Sequence, residues 1–585
     1  MNLALGALLL QAVSAAAAPS PPAAPPSPEV QLCLQSFREG ERARAEKALG
    51  PLEALTLYRA ELTVDPEGRT VTGNVAVQVT ASGIRPLSSV YLRVTPNAFG
   101  AGRVKLGAIS VGGVPQSVDH PEPGLYRVRL RTPLSPGASV GLTMPLTARV
   151  PTGDEDAGLG LGMGGKGAAF NDHGAFSSTS VGLSLVGILP QVPPLDAKGE
   201  PWAGPGGFGD IALYGPGNYL VTVRAPRGFR VVAPGRALGE VPQPDGAVRY
   251  TFGIAASRDF PLFVLRGDTV LTEAVGAVTV EAHVHASDAP SGRKMLGEAA
   301  AALTEFQKRL GPYPYQTFRV VEAPLSGGAG GMEFPGLVTI AASLIRGQAN
   351  PLAAMGIPPS MAKMLAANGG ADLFSSGMAP MLGHLLEFTV AHEVAHQYFA
   401  GLVGSDPIRE PVVDETLAQY SALLYLEWKH GAETAEAMKT QQLIPSYQIY
   451  RMTGGADGPA ARATTAFASS IEYGALVYGK APLLHEAERK LVGDTVFFDA
   501  LRAYVEQYRY QWASVDSLTR VLASKAPEKR ARLQALRHHW WNEAHGDEDL
   551  GEADLGKMME GITGVQMDEE TQALVKQLLP GLLGQ

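Results

Sequence analysis

The run His392-Glu393-Val394-Ala395-His396 sets two imidazoles four positions apart, with a carboxylate directly after the first. On a helix, residues four apart share a face, so both rings can turn onto one divalent ion. Glu393 then stands beside them, able to take a proton from water bound to that ion. The flanks read as helix. Leu385, Leu386, Phe388, Val390, Ala391, Val394, Ala395 and Phe399 are apolar, and no proline interrupts 381–403. A buried, rigid helix is what a metal centre requires.

Catalytic zinc usually takes three protein ligands and keeps a fourth position open for water. Glu415 supplies the third. It opens the stretch Asp414-Glu415-Thr416-Leu417-Ala418-Gln419-Tyr420, which reads as the first turn of a second helix, 18 residues beyond His396. That spacing leaves room for a helix end, a turn over 401–407 and a return. His392, His396 and Glu415 are therefore the expected ligands of one Zn2+ per chain, with Glu393 the expected general base. The chemistry is metal-assisted hydrolysis.

The elements that must position these groups fall into two kinds. From 57 to 281 the chain alternates with period two: Tyr58, Ala60, Leu62 and Val64, then a turn at Asp65-Pro66-Glu67-Gly68, then Val71, Gly73, Val75, Val77 and Val79. Stretches 90–94, 125–131, 219–223 and 248–252 repeat this between Gly/Pro-rich connections, as a β-sandwich or saddle-shaped sheet would. After Gly292 the pattern turns helical: 295–310 stops at Gly311-Pro312, a short strand covers 318–321, and helical stretches follow over 382–403, 414–430 and on to the C-terminus. The expected organisation is an export signal over 1–18 and a Pro/Ala-rich linker with a short helical segment over 19–50. An all-β domain over 51–282, an α+β catalytic domain over 283–545 and a helical tail over 546–585 follow.

Composition bounds the rest. At 585 residues the chain is long enough for two or more packed units, and 45% hydrophobic with 18% charged residues is a globular balance. A net charge of −9 without a basic run argues against nucleic-acid binding. Residues 3–18 are apolar apart from Gln11 and Ser14 and end in small residues, which predicts an exported chain with a cleaved signal, or an anchor if uncleaved. No other segment reads as a membrane span. Cys33 is the only cysteine, so no disulfide forms within the chain, and it reads as buried or incidental. Oligomeric state and side-chain preference are not legible.

Beyond the metal ligands the chain resembles the aminopeptidase N-like gluzincins, which include leukotriene hydrolase. The HExxH and Glu415 spacing matches that family, as do Gly330-Gly331-Met332-Glu333-Phe334 and Tyr478-Gly479-Lys480-Ala481, in the same order along the chain. The resemblance, running from about 57 to Trp541, implies a thermolysin-like catalytic domain behind the β domain and peptides as substrates. It implies that Tyr478 bonds the developing oxyanion and that Glu333 binds a substrate's free α-amine. Gly330 and Gly331 would let substrate backbone approach alongside Met332. Two departures stand out: Phe334 replaces the family's Asn, losing a polar contact that supports the loop, and no Gln-x-Glu stretch is found near Ile188-Leu189-Pro190-Gln191. Both leave open an endopeptidase or a narrow-specificity hydrolase on the same centre, and, from another class, a non-catalytic peptide-binding protein. The connection 345–383 is longer than such a domain needs and reads as a flap or insertion.

Other motifs are set aside. The glycine-rich 160–166 resembles a phosphate loop but has Gly167 where Ser or Thr is required. His538-His539 beside Trp540-Trp541 reads as helix-end packing, and His384 and His485 as ordinary helix residues.

Overall fold

The computed structural model describes residues 26–83, 85–153, 172–196, 198–211, 214–348 and 370–551. The expected signal, the glycine-rich 160–166, much of the long connection before the HExxH helix and nearly all of the expected tail lie outside these residues.

Period-two alternation becomes sheet as expected. In Leu57–Asp65, Tyr58, Ala60, Leu62 and Val64 are buried while Glu61, Thr63 and Asp65 face solvent. Asp65 Oδ1 accepts from Gly68 N at 3.0 Å, closing the turn into Thr70–Thr80. Leu57–Asp65 also pairs in parallel with Gly217–Ala225, within a nine-stranded sheet. A three-stranded sheet (Leu87–Arg93, Ser117–Glu122, Leu125–Leu134) and a four-stranded one (Phe176–Thr179, Gly182–Leu185, Phe229–Val232, Phe263–Arg266) complete the β unit.

The unit ends earlier than the residue pattern suggests. Asp268–Val275 and Val278–His285 do not join the sheets before them; they lead a separate five-stranded sheet with Thr317–Ala323, Leu337–Ala341 and Gly331–Phe334. Alternation cannot reveal this, because a strand reads the same whichever sheet it joins. Between the parallel strands Val278–His285 and Thr317–Ala323 runs the helix Ala289–Leu310, burying Met295, Ala299, Leu303 and Phe306 and ending at Gly311, whose φ of 117° suits glycine. Gly331–Phe334 is the sheet's outer strand, antiparallel to Leu337–Ala341.

Helices dominate from Gly370 onward. Gly370–Ala395 packs against Glu415–His430 and Ala289–Leu310, and four helices between Leu483 and Asn542 close the domain. An all-β N-terminal unit followed by an α+β catalytic domain with a helical end is the expected class. Ser27 caps the helix Pro28–Leu34, whose Val30, Cys33 and Leu34 are buried, and Cys33 Sγ donates to Tyr219 O at 3.1 Å. Among the described residues, no helix is long and apolar enough to cross a membrane.

Candidate metal centre

His392 lies in the last turn of Gly370–Ala395 and His396 one residue past it, yet His396 N still bonds His392 O at 3.2 Å, so helical spacing holds. The chain then turns back tightly. Gly401 N bonds His396 O, Val403 N bonds Tyr398 O, and Ala400 takes a positive φ of 104°. This turn leads towards Asp414, which caps the helix Glu415–His430: its Oδ1 accepts from Glu415 N at 3.0 Å and its Oδ2 from Ser405 Oγ at 2.6 Å. Glu415 is thereby held at the first helical position, facing the two histidines.

The three side chains converge. His392 Nε2 and His396 Nε2 are 3.0 Å apart, and each is 3.4 Å from Glu415 Oε2. Around an ion with bonds of ~2.1 Å, tetrahedral donors sit about 3.4 Å apart. Glu415 Oε2 is buried with no hydrogen-bond partner, which a metal ligand requires and a structural carboxylate would not tolerate. His396 Nδ1 faces Phe399 O at 2.8 Å; donation there leaves Nε2 with its lone pair free for the ion. Burial lowers the His392 pKa, favouring the neutral ligand form. For His396 burial acts the same way, but the charges of Glu333, Glu415 and Glu393 outweigh it and raise the pKa. Two imidazoles and a carboxylate are a donor set suited to Zn2+.

Glu393 is buried, and its Oε2 has no partner. Burial, and then the charge of Glu333, hold its carboxyl well above the usual carboxylate range. It rests on Gly331: a Cβ there would stand 2.3 Å from Glu393 Oε1, so only glycine lets the outer strand lie this close to the carboxylate. Gly330 is less confined, since a Cβ there would stand 3.2 Å from Thr389 Cγ2. Met332 and Glu333 follow on the same strand, both half-buried.

The loop after this strand is supported in a way the residue pattern does not show. Gln397, next to the second histidine, donates to Phe334 O at 3.0 Å and accepts from Gly336 N at 2.8 Å. The polar support expected to be lost with Phe334 thus comes from Gln397, while Phe334 itself is buried.

Tyr478 reaches the centre from the opposite side, donating to Glu415 Oε1. It sits in a π-helical segment, Gly474–Lys480, closed by Ala481 N to Leu476 O at 3.0 Å. Such segments cost helix regularity and concentrate at functional sites. Gln419 Nε2 holds Tyr478 O at 3.1 Å, and buried Lys480 bonds Asp457 Oδ1, Gly458 O and Glu543 O. Burial, and then the charge of Glu415, push the Tyr478 pKa well up, so its hydroxyl stays a donor at neutral pH.

One site residue escapes sequence reading. Asp210, in the glycine-rich loop before Gly217–Ala225, lines the same cavity as Glu333 and His396. That cavity, about 70 Å³, also meets Ile211, Met332 and Trp512. Burial and the charge of Glu333 raise the Asp210 pKa strongly, and Glu333 is raised chiefly by burial. Nothing in the residues around Asp210 marks it out; only the fold brings it here. Of the histidines set aside, His485 is buried against Trp541 and bonds Thr416 Oγ1 at 2.9 Å, supporting the Glu415 helix from behind.

Comparison with known proteins agrees with this geometry. Residues 384–540 match the model of the peptidase family M1 domain. Solved structures with the same fold include the M1 zinc metallopeptidase of Deinococcus radiodurans, at 19% identity over 84% of this chain and 93% of that one with a TM-score of 0.54. A mutant two-domain M1 zinc metallopeptidase bound to L-arginine gives the same identity, coverage of 84% and 94%, and a TM-score of 0.54. No curated protein matches the chain. Residues 384–540 thus match a peptidase family M1 domain, on a fold shared with solved M1 zinc metallopeptidases, and within them the buried His392 and His396 meet Glu415 in a group that could hold a metal ion.

Proposed function

We propose that this peptidase is an exported aminopeptidase, removing residues from the free N-terminus of peptides. The observation that carries this reading is the Glu333–Asp210 carboxylate pair, which shares one cavity with His396. Two adjacent carboxylates repel when both are ionised, so at least one holds a proton. A substrate's α-ammonium between them relieves that repulsion and sets the first peptide bond at a fixed distance from the metal ligands. Gly331–Phe334, the outer strand of its sheet among the described residues, can take the substrate backbone as an added strand.

His392, His396 and Glu415 would hold a Zn2+ ion, which when bound would supply Lewis-acid activation of a water and of the scissile carbonyl. Glu393, buried beside the two histidines with its Oε2 unpartnered, would take the proton from water and return it to the leaving amine. Tyr478 exchanges its bond to Glu415 for one to the developing oxyanion, a contribution of ~3 kcal/mol. Export is supported by the apolar 3–18 stretch with its small-residue end.

Paired peptides of one sequence, with free and acetylated N-termini, test the exopeptidase reading. Only the free form should be cut by the wild type, and Asp210→Asn should raise KM for it more than it lowers kcat. Equal cleavage of both forms would show an endopeptidase that makes no use of the carboxylate pair.

A further inference from the structure

A second group of imidazoles and carboxylates gathers where the helix Arg530–Asn542 ends, and it takes no part in the chemistry above. In the chain as a string, Glu543 stands four positions after His539, the spacing that puts two helical side chains on one face. The fold adds His545, because the chain bends after Asn542 and restarts as the short helix Gly546–Leu550. His539 Nδ1 then lies 3.5 Å from Glu543 Oε2, and His545 Nε2 lies 3.4 Å from the same oxygen. His539, Glu543 and His545 each offer a ligand atom within 4.8 Å of the others'.

The outward nitrogens are also engaged. His539 Nε2 meets Asp549 Oδ2 at 2.8 Å, and His545 Nδ1 meets Glu548 Oε2 at 3.0 Å. A carboxylate on the far nitrogen of each imidazole is the arrangement that fixes tautomer and ring orientation in metal centres. It leaves His539 Nδ1 and His545 Nε2 with free lone pairs, both turned to Glu543 Oε2. The bend is anchored from beneath: Glu543 O accepts from Lys480 Nζ at 3.1 Å, and Gly546 N donates to Asp457 Oδ2 at 2.8 Å. The three side chains are half-buried, so an ion could exchange with solvent.

We propose that His539, His545 and Glu543 form a second divalent-metal site, separate from the catalytic centre, that staples the end of one helix to the start of the next. Two imidazoles and one carboxylate select borderline ions such as Zn2+ over Ca2+ or Mg2+. The two rings now stack, with centroids 4.5 Å apart and planes 12° from parallel. Binding pulls one ring out of that stack, since both lone pairs must meet at one point.

The test uses full-length protein stripped with a chelator and titrated with Zn2+ alone, read by calorimetry and equilibrium dialysis. The H539A/H545A double variant should bind one ion fewer than the wild type, keep peptidase activity within about twofold, and lose part of the zinc-induced rise in Tm. Glu415→Ala should lose the other ion and keep this one. Glu543→Gln, which preserves shape and solubility, should weaken the second site alone. Equal zinc stoichiometry in the wild type and the double variant would overturn the proposal, whatever the catalytic centre does.

Discussion

Gly331→Ala asks whether the general base is positioned by steric fit. A methyl group at 331 would lie 2.3 Å from Glu393 Oε1 and 2.4 Å from its carboxyl carbon. Non-bonded carbon contacts settle near ~3.5 Å, so about 1 Å of relief is needed. The strand cannot readily give it, because Gly331 is held in register against Ile340. Alanine also brings no backbone strain there, since Gly331 is not among the residues with positive φ. The relief therefore falls on the Glu393 side chain. A displacement of ~1 Å costs about 100-fold in turnover, equivalent to ~3 kcal/mol of barrier. The assay is kcat and KM on a free N-terminal peptide, with zinc content and Tm measured alongside. Turnover should fall about 100-fold, with metal retained and Tm little changed. A kcat within twofold of the wild type would refute the reasoning, and loss of zinc would show that the methyl disturbs the ligands instead.

Three further outcomes follow from the same geometry. Tyr478→Phe should lower kcat by ~10²–10³ with little change in KM; a rise in KM alone would assign the oxyanion bond to another group. Cys33 is fully buried and its thiol is pushed up to about 12, chiefly by burial, so a thiol reagent should label it only as the protein unfolds. Rapid labelling of native protein would place the Pro28–Leu34 helix off the sheet. Glu322 is raised to about 7 by burial, from an ordinary value of 4.5 when unfolded. A raised carboxylate stabilises the fold fully below pH 4.5, and that stability is lost as pH rises through 7. Glu322→Gln should therefore remove up to ~3 kcal/mol of pH dependence between pH 5 and 8, measured by denaturant titration; matching pH profiles in both proteins would show that Glu322 stays ionised.

How far the residues reveal the centre depends on whether the needed geometry is local. His392 and His396 are legible because helical spacing alone brings them together, and Glu415 because it opens a helix behind the capping Asp414. Gln397 is not legible, since its partners Phe334 and Gly336 are more than 60 positions away. Asp210 is hidden for the same reason, lying in a glycine-rich loop without periodicity. The π-helical setting of Tyr478 depends on a register that no spacing rule anticipates. The division of strands between sheets fails likewise: Asp268–Val275 alternates like its predecessors but pairs with Val278–His285 in the catalytic sheet. His545 becomes a neighbour of His539 only because the chain bends after Asn542, whereas Glu543 stands four positions after it.

The most direct test of the account is anomalous scattering at the zinc edge from crystals of the full chain. One strong peak, separate from any at His539, Glu543 and His545, should lie about 2.0–2.2 Å from His392 Nε2, His396 Nε2 and one oxygen of Glu415. Zinc-loaded crystals with no peak between those three atoms, or with Glu415 turned away from it, would contradict the account.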